Sequence, residues 1–267
     1  VRVARLPALL LFVLLAVAPA QAQAPLHVSL FASGTLHGAL AEIAKNFTQQ
    51  TGIVVDQTYG ASPQLRERIE GGASADVFAS ADTINPQRLQ REGKSGTVTT
   101  FAHNRMCLLV KPFIAGTRKA DDLMLDQSIR LITAIPVRDS AGDYAEAVFG
   151  RIDDHEYGAL AYLDNRALRF FGSPDVQIPA GADPGAYLLL TSNRGDAFLN
   201  WCTATAISVT TNPSRLQSLE LPANIAVTAN YGLTLRNGAP VEAGLLRAFI
   251  LSPASQVILE KYGFGRV

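Results

Sequence analysis

Between Val28 and Ser80 the chain alternates strand and helix patterns without a break, and this alternation restricts its possible folds more than any other feature. A short apolar run, Val28 to Ala32, leads through Ser33-Gly34-Thr35 into Leu36, Ala39, Leu40, Ile43, Ala44 and Phe47, which recur at helical spacing. Ile53 to Tyr59 follows as a strand, then Gly60-Ala61-Ser62-Pro63, where Ser62 suits an N-cap and Pro63 a first helical residue. Ala75 to Ser80 gives a third strand and Pro86 to Glu92 a short helix. Successive strands joined by helices pair in parallel through right-handed crossovers. The expectation is therefore α/β: a mainly parallel sheet with flanking helices.

A second unit opens with the apolar strand Met106 to Val110 and continues with a strand at Leu131 to Ile135 and a helix at Tyr144 to Phe149. From Gly150 to Arg194 the pattern weakens, and Pro174, Pro179 and Pro184 predict loops. Tyr231 to Leu235 reads as a strand, and Val241 to Leu251 and Pro253 to Tyr262 as two helices joined at Ser252-Pro253.

Arg2 and Arg5 stand ahead of the apolar run Leu6 to Ala18, which closes in small residues through Ala24. This is the pattern of a secretory signal peptide over residues 1–22, with cleavage expected near Ala20 or Ala22. The run is too short for a membrane span, and no later segment approaches the roughly 18 apolar residues one needs. A periplasmic mature chain without stable membrane insertion is expected. Its length, about 245 residues, suffices for two lobes, each with a core.

Hydrophobic residues make up 48% and charged residues 17%, a globular balance. The formal net charge is zero, which gives no support to a nucleic-acid partner. The two cysteines, Cys107 and Cys202, sit in apolar contexts and either pair, as export permits, or remain buried thiols. The four histidines, His27, His37, His103 and His155, show no metal-ligand spacing with them, so no direct cation site is expected.

Three loops place a hydroxyl residue or glycine between a strand and a helix start: Ser33-Gly34-Thr35, Gly60-Ala61-Ser62 and Ser140-Ala141-Gly142. Helix starts carry unpaired N–H groups and partial positive charge, so each can cradle an anion. None of the loops holds lysine or arginine, and a fully ionised tetrahedral dianion needs only donors. Ordinary helix capping would use the same residues. No catalytic signature accompanies them: there is no Gly-x-Ser-x-Gly elbow, His-Glu-x-x-His, phosphate-binding Walker loop or Gly-x-Gly-x-x-Gly. Asp76 and Asp82, the nearest thing to a carboxylate pair, lie in and after a strand, which fits structural roles. The chain is not expected to be an enzyme.

Phe31-Ala-Ser-Gly-Thr-Leu-His-Gly-Ala-Leu-Ala-Glu-Ile-Ala-Lys-Asn-Phe47, Tyr59-Gly-Ala-Ser62 and Gly72-Ala-Ser-Ala-Asp-Val-Phe-Ala-Ser-Ala-Asp82 closely resemble the periplasmic molybdate-binding proteins of ABC importers. Phe249-Ile-Leu-Ser-Pro253 and Ile258-Leu-Glu-Lys-Tyr-Gly-Phe264 look like that family's C-terminal signature. The likeness covers the N-terminal third and the last forty or so residues. It implies a two-lobed type II periplasmic-binding-protein fold, with residues 25–104 and 231–267 in lobe 1 and residues 105–230 in lobe 2. It also implies a monomer without cofactor that captures molybdate or tungstate and delivers it to a membrane permease.

Matched position by position, the implied ligand-binding set is the hydroxyls of Thr35 and Ser62, the amides of Ala141 and Cys202, and the phenol of Tyr231. Two elements depart from the family pattern. Ser140-Ala141-Gly142-Asp143-Tyr144 stands for Pro-Ala-Gly-x-Tyr, and Asn200-Trp201-Cys202-Thr203 for Gly-Ile-Val-Tyr. Asp139 and Asp143 flank the first, and carboxylates there oppose a dianion unless they point away or cap the helix. Sulfate would suit a smaller donor-only site; phosphate, which keeps a proton, would use one of these carboxylates as acceptor; and another small solute in the same fold is a further alternative. A regulatory sensor domain is the remaining alternative, and the expected leader argues against it.

Overall fold

The computed structural model describes residues 25–171, 173, 176–179 and 181–267, so the leader expected over residues 1–22 lies outside the described residues. The predicted alternation is present. Strand β1 (His27–Ser33) runs through a 3₁₀ turn (Gly34–Leu36) into α1 (His37–Thr51), which ends at Gly52 in the left-handed conformation, φ 74°. β2 (Val54–Gly60), α2 (Ser62–Glu70), β3 (Val77–Ser80) and α3 (Ile84–Arg91) follow, then the long β4 (Thr99–Val110). β1 pairs in parallel with both β2 and β3.

The chain continues through α4 (Pro112–Ala115), α5 (Ala120–Leu125), β5 (Leu131–Ala134), α6 (Ser140–Asp153) and α7 (Ala159–Arg166). Next come β6 (Leu168–Phe171), the single turn α8 (Pro184–Ala186) running into a π-helical turn (Tyr187–Thr191), β7 (Ala197–Trp201) and α9 (Cys202–Thr211). β8 (Gln217–Glu220), β9 (Thr228–Leu235), α10 (Val241–Ile250) and α11 (Pro253–Lys261) complete it. β5 pairs in parallel with β6 and β7.

β4 joins the two parallel groups. Its first half pairs antiparallel with β9, which borders β3, and its second half pairs antiparallel with β7 and β8. Two α/β lobes therefore share one hydrogen-bonded path, β2-β1-β3-β9-β4-β7-β5-β6, with β4 crossing between them. Both faces of the sheet are covered, as in a parallel α/β fold. On one face of lobe 1, Leu30, Ala32, Val77 and Ala79 meet Leu40, Ile43 and Phe47 of α1; on the other, Phe31 and Phe78 meet Leu65, Ile69 and Leu89. In lobe 2, α6 packs Val148, Phe149 and Ile152 into the first core, while Leu109, Ile132, Leu188 and Phe198 form a separate one.

Three local expectations are corrected. In the region from Gly150 to Arg194 the loop expected at Pro179 is present and Pro174 lies outside the described residues, but the region also contains α7, β6 and the α8 and π turns, and Pro184 is the first residue of α8, where its missing N–H costs nothing. α6 begins four residues before the predicted Tyr144, because Asp139 caps it. Ser62 does not cap α2: it lies in the helix after Ala61, and its Oγ accepts from the Ala81 amide at 2.9 Å. Cys107 of β4 and Cys202, the first residue of α9, form a disulfide with Cα atoms 4.8 Å apart. Among the described residues no single helix is long and apolar enough to cross a membrane.

Candidate functional site

A cleft of about 680 Å³ opens between the lobes at the carboxyl ends of β1 and β2, the usual place for a ligand in an open α/β sheet. Its lobe-1 wall is made of Ser33, Gly34, Thr35, Gly60 and Ala61, with Ser33 and Gly60 in register across the strand pair. Its lobe-2 wall includes Asp139, Phe171, Phe198, Asn200, Trp201 and one face of α9. No lining residue is lysine or arginine, and the carboxylates are Asp139 and Asp183. A second hollow, about 450 Å³ around Lys111, Phe113 and Arg215, shares no lining residue with the cleft.

Three helix starts reach the cleft without a side-chain cap: the 3₁₀ turn leading into α1, preceded by Ser33; α2, preceded by Ala61; and α9, preceded by Trp201. Their amide ends present partial positive charge to whatever enters. At Gly34 an added Cβ would stand in open space, so the missing side chain leaves room on the cleft side.

Thr35 lines the cleft, and behind it runs an ordered chain of hydrogen bonds. The Arg105 amide donates to Asn104 Oδ1 at 2.9 Å, which leaves Asn104 Nδ2 as the donor to Thr203 Oγ1 at 2.9 Å and to the Tyr231 hydroxyl at 3.0 Å. The Tyr231 hydroxyl, which accepts from Asn104, shares a further hydrogen bond with Thr35 Oγ1, 3.1 Å away, in which either oxygen can donate. Thr35 Oγ1 also shares a hydrogen bond with Ser33 Oγ at 3.1 Å, so its hydroxyl belongs to a network that reaches the cleft wall. Tyr231 is fully buried among Phe101, Trp201 and Phe264, and that burial raises the pKa of its phenol.

The other matched residues are held differently. The Ala141 amide is occupied: Asp139 Oδ1 accepts from it at 2.9 Å, so the carboxylate sits on the donor a ligand oxygen would use. Burial, reinforced by Asp143 and Asp82 and opposed by the Ala141 amide, pushes Asp139 up to about 6. Asp143 accepts from the Val137 amide at 2.7 Å and does not line the cleft. Ser62 and Ala141 are buried and Cys202 is in the disulfide, and none of the three side chains lines the cleft. The amide end of α9, where Cys202 stands, remains without a side-chain cap.

Asp76 and Asp82 are structural, as expected. Asp76 accepts from the Ser29 amide at 3.0 Å and from Arg236 at 2.8 Å, and Asp82 from the Asn85 amide and side chain at 2.7 Å each. Asp82 also accepts from Ser140 Oγ of lobe 2. Asn104 and Asp183 were not singled out in the sequence. Asn104 lies between His103 and Arg105 in β4, and nothing in that polar run marks it as the buried one. Asp183 stands among prolines and glycines that carry no pattern. Among the described residues no group of three or more His, Cys, Asp or Glu is arranged to hold a metal ion.

The match to known proteins is broad. Residues 28–265 fit the family model of bacterial extracellular solute-binding proteins. The chain belongs to that family. This solute-binding chain is 29% identical over 207 residues to the uncharacterized protein PM1146 of Pasteurella multocida, a match covering 76% of the chain and 85% of that protein. It is 33% identical over 84 residues to the molybdate-binding protein ModA of Mycobacterium bovis, covering 31% of the chain and 32% of ModA. Among solved structures, L-phospholactate-bound PEB3 superposes with a TM-score of 0.69 at 19% identity, covering 90% of the chain and all of PEB3. The sulfate-binding protein SubI of Mycobacterium tuberculosis superposes with a TM-score of 0.73 at 18% identity, covering 91% and 87%. The two-lobed solute-binding chain thus has the type II periplasmic-binding-protein fold, and at these identities the structural likeness concerns fold alone.

Proposed function

We propose that the chain captures a solute through a tetrahedral oxyanion, of which molybdate and tungstate are the inorganic forms its sequence resembles a site for, and delivers it to the permease of an ABC importer. The observation that carries this reading is the Thr35 hydroxyl at the cleft wall, hydrogen-bonded to Tyr231 and Ser33, beside uncapped helix starts and with no lysine or arginine in the lining. Each hydrogen bond to a charged oxygen contributes roughly 1.5–3 kcal/mol, so a few such donors outweigh the cost of closing the lobes. Binding without chemistry is enough: closure follows from tighter binding to the closed form.

Asp139 favours a second form of the same reading. Its carboxylate lines the cleft and is an acceptor, which a fully ionised ion cannot use but a protonated one can. Hydrogen phosphate or a phosphate monoester would bring that proton.

Thermal unfolding of the mature, anion-stripped protein with molybdate, tungstate, sulfate or phosphate tests the proposal. A ligand at 100 times its Kd adds about 2.7 kcal/mol. A rise of several degrees with molybdate and tungstate supports the first form, and a rise with phosphate the second. No rise with any of the four overturns both.

A further inference from the structure

Helix α9 turns one face to the cleft over nearly its whole length. Ala204, Ile207, Ser208 and Thr211 recur at the three- and four-residue spacing of a helix face, and all of them line the cleft. From Ala204 to Thr211 this face extends about 10 Å at 1.5 Å per residue. A single tetrahedral ion held at the helix starts would touch only its beginning. The remainder is largely carbon: Ala204 and Ile207 stand with Trp201 and Phe171, and Ile207 is 53% exposed, an apolar side chain with nothing over it. At the other end of the face lies the Asp183 carboxylate, which accepts from Ser208 Oγ at 2.8 Å, the Gly185 amide at 3.0 Å and Thr211 Oγ1 at 3.5 Å and retains acceptor capacity. The cleft thus has donors at its lobe-1 end, a carbon wall along α9 and an acceptor at the far end.

We infer that the solute is an organic oxyanion, its tetrahedral head at Gly34, Thr35 and Ala61 and its carbon body along Ala204 and Ile207. This rests on the oxyanion reading of the lobe-1 end and adds the body. The volume of about 680 Å³ is that of a small-molecule site, far more than one ion fills. Each methylene taken out of water against this wall is worth roughly fourfold in affinity. A hydroxyl or amine at the tail would donate to Asp183.

The test is titration calorimetry of the mature protein with molybdate, inorganic phosphate, methyl phosphate and n-butyl phosphate. Butyl phosphate is expected to bind at least tenfold more tightly than methyl phosphate. Ile207→Asn changes an exposed residue beyond the first turn of α9 and should abolish the butyl advantage while leaving the inorganic ions within threefold. Equal affinities for the two esters, or esters that fail where molybdate binds, overturn the organic body and leave the oxyanion site standing. Absence of binding by all four removes the oxyanion reading and this inference together.

Discussion

The hydroxyl of Ser140 donates to the carboxylate of Asp82, joining the first turn of α6 in lobe 2 to the loop after β3 in lobe 1. Both side chains are buried, at 1% and 3% exposure, so the contact is protected from water and strongest when the lobes are closed. Ser140→Ala removes a hydrogen bond to a charged group, worth about 1.5–3 kcal/mol. It is expected to lower the melting temperature by several degrees and to speed ligand release. Trp201 is the single tryptophan of the sequence and lines the cleft, so its fluorescence reports both. An unchanged release rate would mean that the contact does not hold the closed form.

Tyr231→Phe keeps the ring among Phe101, Trp201 and Phe264 and removes the hydroxyl that accepts from Asn104 and bonds Thr35. Oxyanion affinity should fall about tenfold, the value of one hydrogen bond to a charged ligand passed through a hydroxyl. Thr35→Val, which removes the donor itself, should cost more. Equal affinities across wild type and both variants, measured by calorimetry, would place the anion elsewhere.

The raised pKa of Asp139 sets a pH dependence with a definite sign. The native state holds this proton more tightly than the unfolded chain, so the contribution of Asp139 to stability is greatest below the ordinary carboxylate pKa and is lost as pH rises to about 6. Affinity for the fully ionised molybdate should follow the same direction, rising as pH falls through about 6 and the carboxylate on the Ala141 amide becomes neutral. Asp139→Asn keeps a capping oxygen and should flatten both curves above pH 5. Asp143, whose pKa burial also raises, remains in that variant, and any residual slope belongs to it.

The Cys107–Cys202 bridge closes a loop with a sequence separation of 95 and holds the start of α9 against β4. Replacing both cysteines by alanine should cost roughly 2–5 kcal/mol, read as a lower denaturation midpoint. Ligand affinity should fall with it, because Trp201 and the α9 start line the cleft.

At Gly142 a Cβ would come within 2.5 Å of the backbone of Ile135 and Pro136. Gly142→Ala must push the start of α6 outward, with an expected loss of 1–3 kcal/mol for overpacking. Unaltered melting would show that α6 can shift freely.

Several features follow from the sequence alone because they depend on neighbours within a few residues. The apolar stripe of α1, the strand-turn-helix order through β3 and the helices at Val241 and Pro253 are properties of local periodicity, and they stand where the spacing puts them. The hydroxyl and glycine loops were legible for the same reason, since turn and cap chemistry is local. The region after Gly150 was not, because prolines announce breaks but not what the intervening residues pack against. Pairing of Cys107 with Cys202 and the hydrogen-bond chain linking Asn104, Tyr231 and Thr35 each join residues whose approach is set by β4 crossing between the lobes. Residue types and spacing therefore determined the elements and the loops facing the cleft. Only the tertiary structure decided which donors remain free there, because a hydrogen bond's partner depends on distance in space and not on separation along the chain.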